Sequence, residues 1–249
     1  MIAHHKKARN FWLIAAGLGF AVAGSLALAA QGPSLEQQIA GIRATVTKNK
    51  DKLAEYTWQE QETIRVKSKV QSQRLFEAQL GPDGRIRRTA MDLPEGNLSQ
   101  TEKAGGMHEW ITQKKQHSTQ IYAQELKEIA AIYAQIDPES LRRAYERGDI
   151  ADEPNDAGKG VKKLSIHNYA KVGDLVTIAF NPKDNEIQTV EASSYLTDAK
   201  ATVHILTEFV AAPDGLNHID AITATGPKKD FSMVIRNLTY EHSFQRAPR

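Results

Sequence analysis

Two carboxylates two positions apart are the first side chains in this sequence that could do chemistry. Glu60 and Glu62 fall in a segment whose side chains alternate with period two, so both are expected on the same strand face as Trp58. Two carboxylates beside an aromatic surface can acquire different proton affinities and act as acid and base. The segment supplies no partner that would activate a water molecule. We therefore expect the pair at the solvent-exposed rim of a sheet and predict no catalytic residue.

The histidines lack the spacing of a metal site. His108 and His117 are far apart in sequence, and His218 shares its strand face only with Asp220. A metal site needs three or more converging ligands. The chain contains no cysteine, which excludes disulfides, thiolate metal sites and cysteine nucleophiles. Phosphate-binding loops, dinucleotide fingerprints and serine-hydrolase motifs are also missing. We therefore expect no metal, no cofactor and a non-enzymatic protein.

Large apolar side chains recur on one face of several strand-like segments. Half-barrels with apolar interiors bind apolar chains, so this face predicts a ligand cavity. The alternative is an ordinary core, because protein interiors are normally filled. The predicted ligand-binding residues are Tyr56, Trp58, Ile64, Val66, Phe209, Ile222, Phe231 and Met233, with Val70 and Ile235 on the same face.

A basic surface patch is predicted at Arg85, Arg87 and Arg88. Such a patch can contact lipid head groups or an acidic protein partner. The alternative is a solvated strand whose cations prevent edge-to-edge pairing with another sheet.

The first 30 residues have the pattern of an export signal. A basic start precedes an apolar run from Phe11 to Leu28, and small residues suited to signal peptidase follow. The alternative is a retained membrane anchor, because the run approaches the ~20 residues that span a bilayer. Three of the 32 Lys and Arg residues lie in this segment, and the rest nearly balance the 30 Asp and Glu. The near-neutral body gives no reason to expect nucleic acid as a partner. We expect a periplasmic or cell-envelope protein.

The remaining chain, residues 31–249, predicts a single α+β domain. Its fold class is a strongly curved antiparallel β-sheet, an open half-barrel of about eight strands, packed on a helical layer in its concave face. The meander is expected to pair first with the Arg74–Met91 hairpin. The predicted elements are a helix at 35–55, strands with a Gly81-Pro82-Asp83-Gly84 hairpin at 56–91, helices at 107–148, a flexible connector at 149–160 and a six-strand β-meander at 161–241.

This order of elements resembles a known group of proteins. The Leu53-Ala54-Glu55-Tyr56-Thr57-Trp58-Gln59-Glu60 approach to the first strand, the Gly-Pro-Asp-Gly hairpin, the central helices and the terminal meander are similar to uncharacterised secreted bacterial proteins. They also resemble the periplasmic lipoprotein-carrier (LolA/LolB-like) fold, an open β-barrel closed by helices. The resemblance covers most of residues 35–241. It implies an apolar cavity for acyl chains but assigns no individual residue.

Two functions follow as predictions. The first is a non-enzymatic envelope binding or carrier protein for an amphiphile, such as a lipid or acyl chain, or for a protein partner in the periplasm. The alternative is a membrane-anchored accessory subunit of a larger membrane complex, with residues 11–30 retained as a transmembrane helix. If the central helices leave a slot in the concave face, the protein is expected to be a carrier. If they fill that face completely, it is expected to be a scaffold.

Overall fold

A computed structural model describes residues 33–91, 107–154, 160–197, 201–226 and 230–243, without the side chains of residues 107–118. The predicted signal or anchor, the His108 and His117 side chains and residues 92–106 lie outside this description. The described elements are α1 (Leu35–Leu53), β1 (Tyr56–Val66), β2 (Lys69–Leu80), β3 (Ile86–Met91), α2 (Met107–Tyr133), α3 (Pro138–Arg147), β4 (Ile150–Asp152), β5 (Lys162–His167), β6 (Leu175–Phe180), β7 (Ile187–Tyr195), β8 (Thr202–Ala211), β9 (Asn217–Gly226) and β10 (Phe231–His242).

All described strands belong to one antiparallel sheet with the order β3-β2-β1-β10-β9-β8-β7-β6-β5-β4. The sheet is curved and does not close, so the α+β fold class and the half-barrel are confirmed. It contains ten strands rather than about eight. The strand that was not predicted is the three-residue β4, which lies in the segment predicted as a connector, and β2 begins at Lys69 rather than at the predicted Arg74.

The first strand is shorter than its alternating pattern predicts. It ends at Val66, and Lys67 and Ser68 turn the chain with φ angles of 51° and 62°. Two consecutive residues of positive φ make the tight turn that suits a hairpin, usually with Asn or Gly. Val70 therefore lies on β2 and is 52% exposed, so its predicted place on the interior face of the first strand is wrong.

The C-terminal meander joins the N-terminal hairpins through β1. Tyr56 is opposite His242 and Val66 is opposite Phe231 in the β1–β10 ladder, with an irregularity between Trp58 and Glu60. The predicted pairing of the meander with residues 74–91 is wrong. The reason is that β1, β2 and β3 form a continuous hairpin series, which leaves the free edge of β1 for β10.

Helix α1 is fixed to the sheet at both ends of its buried face. Ser34 begins it with a capping box, in which its hydroxyl accepts from the Gln37 amide and the Gln37 side chain accepts from the Ser34 amide. Gly41 allows close approach, because a Cβ there would lie 2.6 Å from the side chain of Asn185. Farther along, Asn49 Oδ1 accepts from the Asn217 amide at 2.8 Å.

Helix α2 covers the middle of the concave face and packs on β8, β9 and β10. Its buried stripe ends in Tyr133, whose hydroxyl donates to Asp174 Oδ2 at 2.6 Å and lies 2.9 Å from Ser194 Oγ. Asp174 is buried and also accepts from the backbone amides of residues 169–171. This network holds the C-terminal end of α2 against the sheet. Among the described residues, no helix has the length and hydropathy needed to cross a bilayer.

Candidate ligand-binding groove

One flank of α2 carries small side chains, and this flank leaves an open space on the concave face. Lys127, Ala130, Ala131, Ala134 and Gln135 recur at steps of three and four, so they lie on one side of the helix and its C-terminal extension. The alanines are too short to reach α1 or the strands β1 and β3. A groove in two lobes remains between these elements.

The first lobe, lobe A, has a volume of about 300 Å³ and lies between α1, the corner joining α2 to α3, and β7 to β9. Its walls combine apolar side chains with polar and charged ones, which are Thr45, Asn49, Lys50, Gln135, Asp137, Asn217 and His218. Asn49 and Asn217, which fix α1 to the sheet, also line lobe A, as does His218, whose ring is tilted against that of Tyr240 with 3.9 Å between the ring centroids. The apolar lining residues are Val46, Leu53, Ala131, Ile132, Ile136, Pro138, Ile187, Phe209 and Ile219.

The second lobe, lobe B, has a volume of about 310 Å³ and lies between α2 and the strands β1, β3, β9 and β10. It shares Ala131, Gln135 and Ile219 with lobe A, so the two lobes adjoin along α2. Its apolar floor is interrupted by charged and polar groups. The charged and polar side chains that line it are Glu60, Arg85, Arg88, Lys127, Gln135 and Asn237.

Glu60 and Glu62 are buried rather than placed at a solvent-exposed rim, which corrects the prediction from the sequence. Glu60 is 2% exposed and Glu62 is 5% exposed. Arg88 from β3 donates its Nε to Glu60 Oε1 at 2.5 Å, and Lys127 from α2 forms an ion pair with Glu62. Two cations from other elements therefore neutralise the two carboxylates, which explains how both remain buried.

Lobe B contains one hydrogen-bond chain that ends in an open acceptor. Asn237 Nδ2 donates to the Tyr240 hydroxyl at 2.9 Å, and this hydroxyl donates to the Ile219 carbonyl at 3.1 Å. Asn237 Oδ1 is buried and has no hydrogen-bond partner among the described residues. A buried acceptor normally has a donor, so this oxygen is suited to a group that enters the lobe.

Two cations lie where the lobes meet solvent. Lys50 lines lobe A and Arg85 lines lobe B, and both are exposed. The Lys50 ammonium lies over Gly84, since a Cβ at Gly84 would be 2.7 Å from Lys50 Nζ. The ion pairs found in the described part of the chain include neither cation. This pair of residues is called the cationic entrance below.

Most of the predicted ligand-binding residues face the concave side but lie outside the groove. Phe209 lines lobe A and Ile222 lines lobe B. The other six residues pack in core clusters instead, and Tyr122 of α2 contacts Phe231 edge-on at 5.0 Å. Tyr56 and Trp58 belong to a smaller cluster with Leu53, whereas Ile64, Val66, Phe231 and Met233 pack in the main core.

The three arginines of the predicted surface patch do not share one face, because Arg85 and Arg88 both line lobe B and Arg87 lies on the opposite face of β3. Strand alternation places Arg88 on the concave face opposite buried Ala78, and exposed Arg87 lies opposite Gln79 on the other face. Arg85 belongs to the cationic entrance. The predicted patch is therefore not one surface, because β3 divides it between the two faces of the sheet.

The sequence prediction missed several groove residues, including Lys50, Ala131, Gln135 and Asn237. The alanines at three- and four-residue spacing were the available signal, since a small flank beside a bulky buried stripe indicates a helix that does not fill its surroundings. Of the described residues, no three His, Asp or Glu side chains are grouped as metal ligands.

No protein-family model matches this chain, and no curated protein matches it. A solved structure, the crystal structure of a DUF1329 family protein from Desulfovibrio piger ATCC 29098, aligns with it at 11% sequence identity and a TM-score of 0.40. The alignment covers 84% of this chain and 95% of that chain. Such a distant structural neighbour assigns the chain to no family, so functional conclusions depend on the groove itself.

Proposed function

We propose that this protein is a non-enzymatic binding or carrier protein of the cell envelope whose ligand is an amphiphile. The observation that carries the proposal is the groove beside the alanine flank of α2. Its lobes have volumes of about 300 Å³ and about 310 Å³ and adjoin at Ala131. Ligand pockets usually measure ~300–1,000 Å³, so the combined groove has room for a small lipid.

The chemical difference between the two lobes supports an amphiphile rather than a wholly apolar ligand. Lobe A presents aliphatic and aromatic side chains such as Val46, Ile136 and Phe209. Each methylene group buried there contributes ~0.8 kcal/mol, so eight methylenes contribute roughly 6 kcal/mol before the cost of ordering the chain. Lobe B has four charged lining residues, Glu60, Arg85, Arg88 and Lys127, whereas lobe A has two, Lys50 and Asp137.

The proposed envelope location rests on the export pattern in residues 1–30. It is independent of the argument for the groove. If this segment is cleaved, the groove belongs to a diffusing carrier. If it is retained, the same groove is held at the membrane surface. Membrane fractionation distinguishes these cases, because osmotic shock releases only the cleaved form.

The Ala131→Trp substitution tests the groove directly. Ala131 is exposed and lines both lobes, so an indole at this position blocks the groove without disturbing the core. We expect the wild type to bind a fluorescent fatty acid saturably, and the variant to lose at least about ten-fold in affinity, which corresponds to ~1.4 kcal/mol. Lipid extracted from natively purified protein should also decrease in the variant.

The matched control is Glu125→Trp, which adds the same side chain on an exposed part of α2 outside both lobes. It should bind the probe like the wild type. Both variants should keep the wild-type melting temperature. If the delipidated wild type shows no saturable binding, or if both tryptophan variants bind equally well, the proposal is wrong.

A further inference from the structure

The polar groups of lobe B allow a more specific inference, which rests on the proposed function. We propose that lobe B holds the head group of the amphiphile, that this head group carries an oxyanion and a hydrogen-bond donor, and that the acyl chain lies in lobe A. The oxyanion is a phosphate or a carboxylate, and the donor is a hydroxyl or an amide N–H.

The donor is inferred from the orientation of the Asn237 side chain. The Ile219 carbonyl can only accept, so the single proton of the Tyr240 hydroxyl is directed to it. Tyr240 must then accept from Asn237, which directs Nδ2 toward Tyr240 and leaves Oδ1 without a partner. Since Asn237 lines lobe B, a donor in that lobe can complete the chain.

The oxyanion is indicated by the charges that remain after the ion pairs are removed. Glu60 offsets Arg88, and Glu62 offsets Lys127. Lys50 and Arg85 at the cationic entrance are left over. Arg88 binds Glu60 through Nε and also lines lobe B. Guanidinium groups bind phosphate and carboxylate through paired N–H donors, so this end of the groove favours an anion.

The opposite orientation, with the chain in lobe B, conflicts with the lining of that lobe. Methylene groups placed against Glu60, Arg88 and Asn237 would remove water from charged and polar groups and replace none of the lost hydrogen bonds. Lobe A offers the chain Leu53, Ile132 and Phe209 instead. The head group therefore belongs beside β1, β3 and β10.

The test uses the full chain after delipidation and four soluble probes below their aggregation concentrations. An acylglycerol phosphate carries a chain, one free hydroxyl and an oxyanion. A monoacylglycerol of the same chain length lacks the oxyanion, an alkyl phosphate lacks the glycerol hydroxyl, and glycerol phosphate lacks the chain. Each is titrated by calorimetry or by displacement of a fluorescent fatty acid.

The acylglycerol phosphate should bind about ten-fold or more tightly than the monoacylglycerol, as expected for charge-assisted hydrogen bonds. The double variant Lys50→Gln with Arg85→Gln should remove this difference while leaving the monoacylglycerol affinity unchanged. Asn237→Ala should weaken the acylglycerol phosphate by about five-fold and leave the alkyl phosphate unaffected, because only the former has a hydroxyl donor. A purely structural role for Asn237 would weaken both ligands equally.

The possible failures are distinguishable. Equal affinity of the anionic and neutral acyl probes in the wild type would overturn the head-group inference and leave the amphiphile proposal intact. If the double variant still prefers the acylglycerol phosphate over the monoacylglycerol, the head-group inference is also overturned and the amphiphile proposal stays intact. Binding of none of the acyl probes would overturn the proposed function itself. Glycerol phosphate binding as tightly as its acylated form would also refute the inference, because the groove would then be a site for a soluble oxyanion.

Discussion

The Arg88→Met substitution is expected to destabilise the domain by about 3 kcal/mol because it leaves a buried carboxylate without its cation. Glu60 is 2% exposed and its Oε1 accepts from Arg88 Nε at 2.5 Å. Breaking a buried ion pair by removing one partner costs ~3–5 kcal/mol. The Arg88 side chain is 26% exposed, so water can enter its place and the cost should be near the lower limit.

The double variant Glu60→Gln with Arg88→Met separates the ion pair from the loss of packing. Removing both charges should return about 2 kcal/mol of the loss, because a neutral amide is far less costly to bury than a charge. Arg87→Met is the matched control, since Arg87 is the exposed neighbour on the opposite face of β3. It should change the stability by less than ~0.5 kcal/mol.

Urea denaturation followed by circular dichroism and tryptophan fluorescence measures these differences. Coincident transitions by the two probes are needed before free energies are compared. If Arg88→Met costs less than about 1 kcal/mol, or if the double variant is no more stable than the single one, Glu60 is not held as a buried charge and the reasoning about lobe B fails.

Tyr133→Phe removes a buried hydroxyl between Asp174 and Ser194 and should lower the free energy of unfolding by ~2 kcal/mol; Tyr195→Phe, whose hydroxyl is exposed, should cost under ~0.5 kcal/mol in the same urea titration. A hydrogen bond from Tyr56, with help from the Leu216 amide and Lys52, lowers the pKa of Asp214 to about 2. Because the pKa of an unfolded Asp is ~3.9, the resulting stability is present above that pH and is lost as pH falls toward 2. Asp214→Asn should make the melting temperature less dependent on pH between those two pH values. If the slope of melting temperature against pH does not change, the assignment to Asp214 is contradicted. Gly41→Ala should destabilise by ~1 kcal/mol through overlap with Asn185, although alanine normally favours a helix; adding Asn185→Gly should restore at least wild-type stability, as measured by thermal unfolding.

Local patterns in the sequence were sufficient to predict most elements of the fold. The Gly81-Pro82-Asp83-Gly84 turn lies where its residue types predict, and the six meander strands are present. The Lys67-Ser68 turn was missed because neither residue is typical of positive φ. The short β4 was missed because three residues do not establish a period.

The groove depends on contacts between residues far apart in sequence, which local patterns do not contain. Ile222 and Ile64 look alike in a strand pattern and are equally buried, but of the two only Ile222 lines the groove. Similarly, Glu60 and Glu62 look like rim residues in the sequence, because their ion pairs with Arg88 of β3 and Lys127 of α2 are visible only in the structure. The concave face was predictable, whereas its division between core and groove required the helix position.

The pairing of β1 with β10 also constrains how the domain is completed during synthesis. Val66 pairs with Phe231, about 165 residues later, so translation at ~5–20 residues per second separates the two by roughly 8–33 s. During that interval the N–H and C=O groups of one β1 edge have no native partner and can template association with another chain. The 12 residues of β10 therefore join the two parts of the sheet last, and their truncation would expose the edges of both β1 and β9.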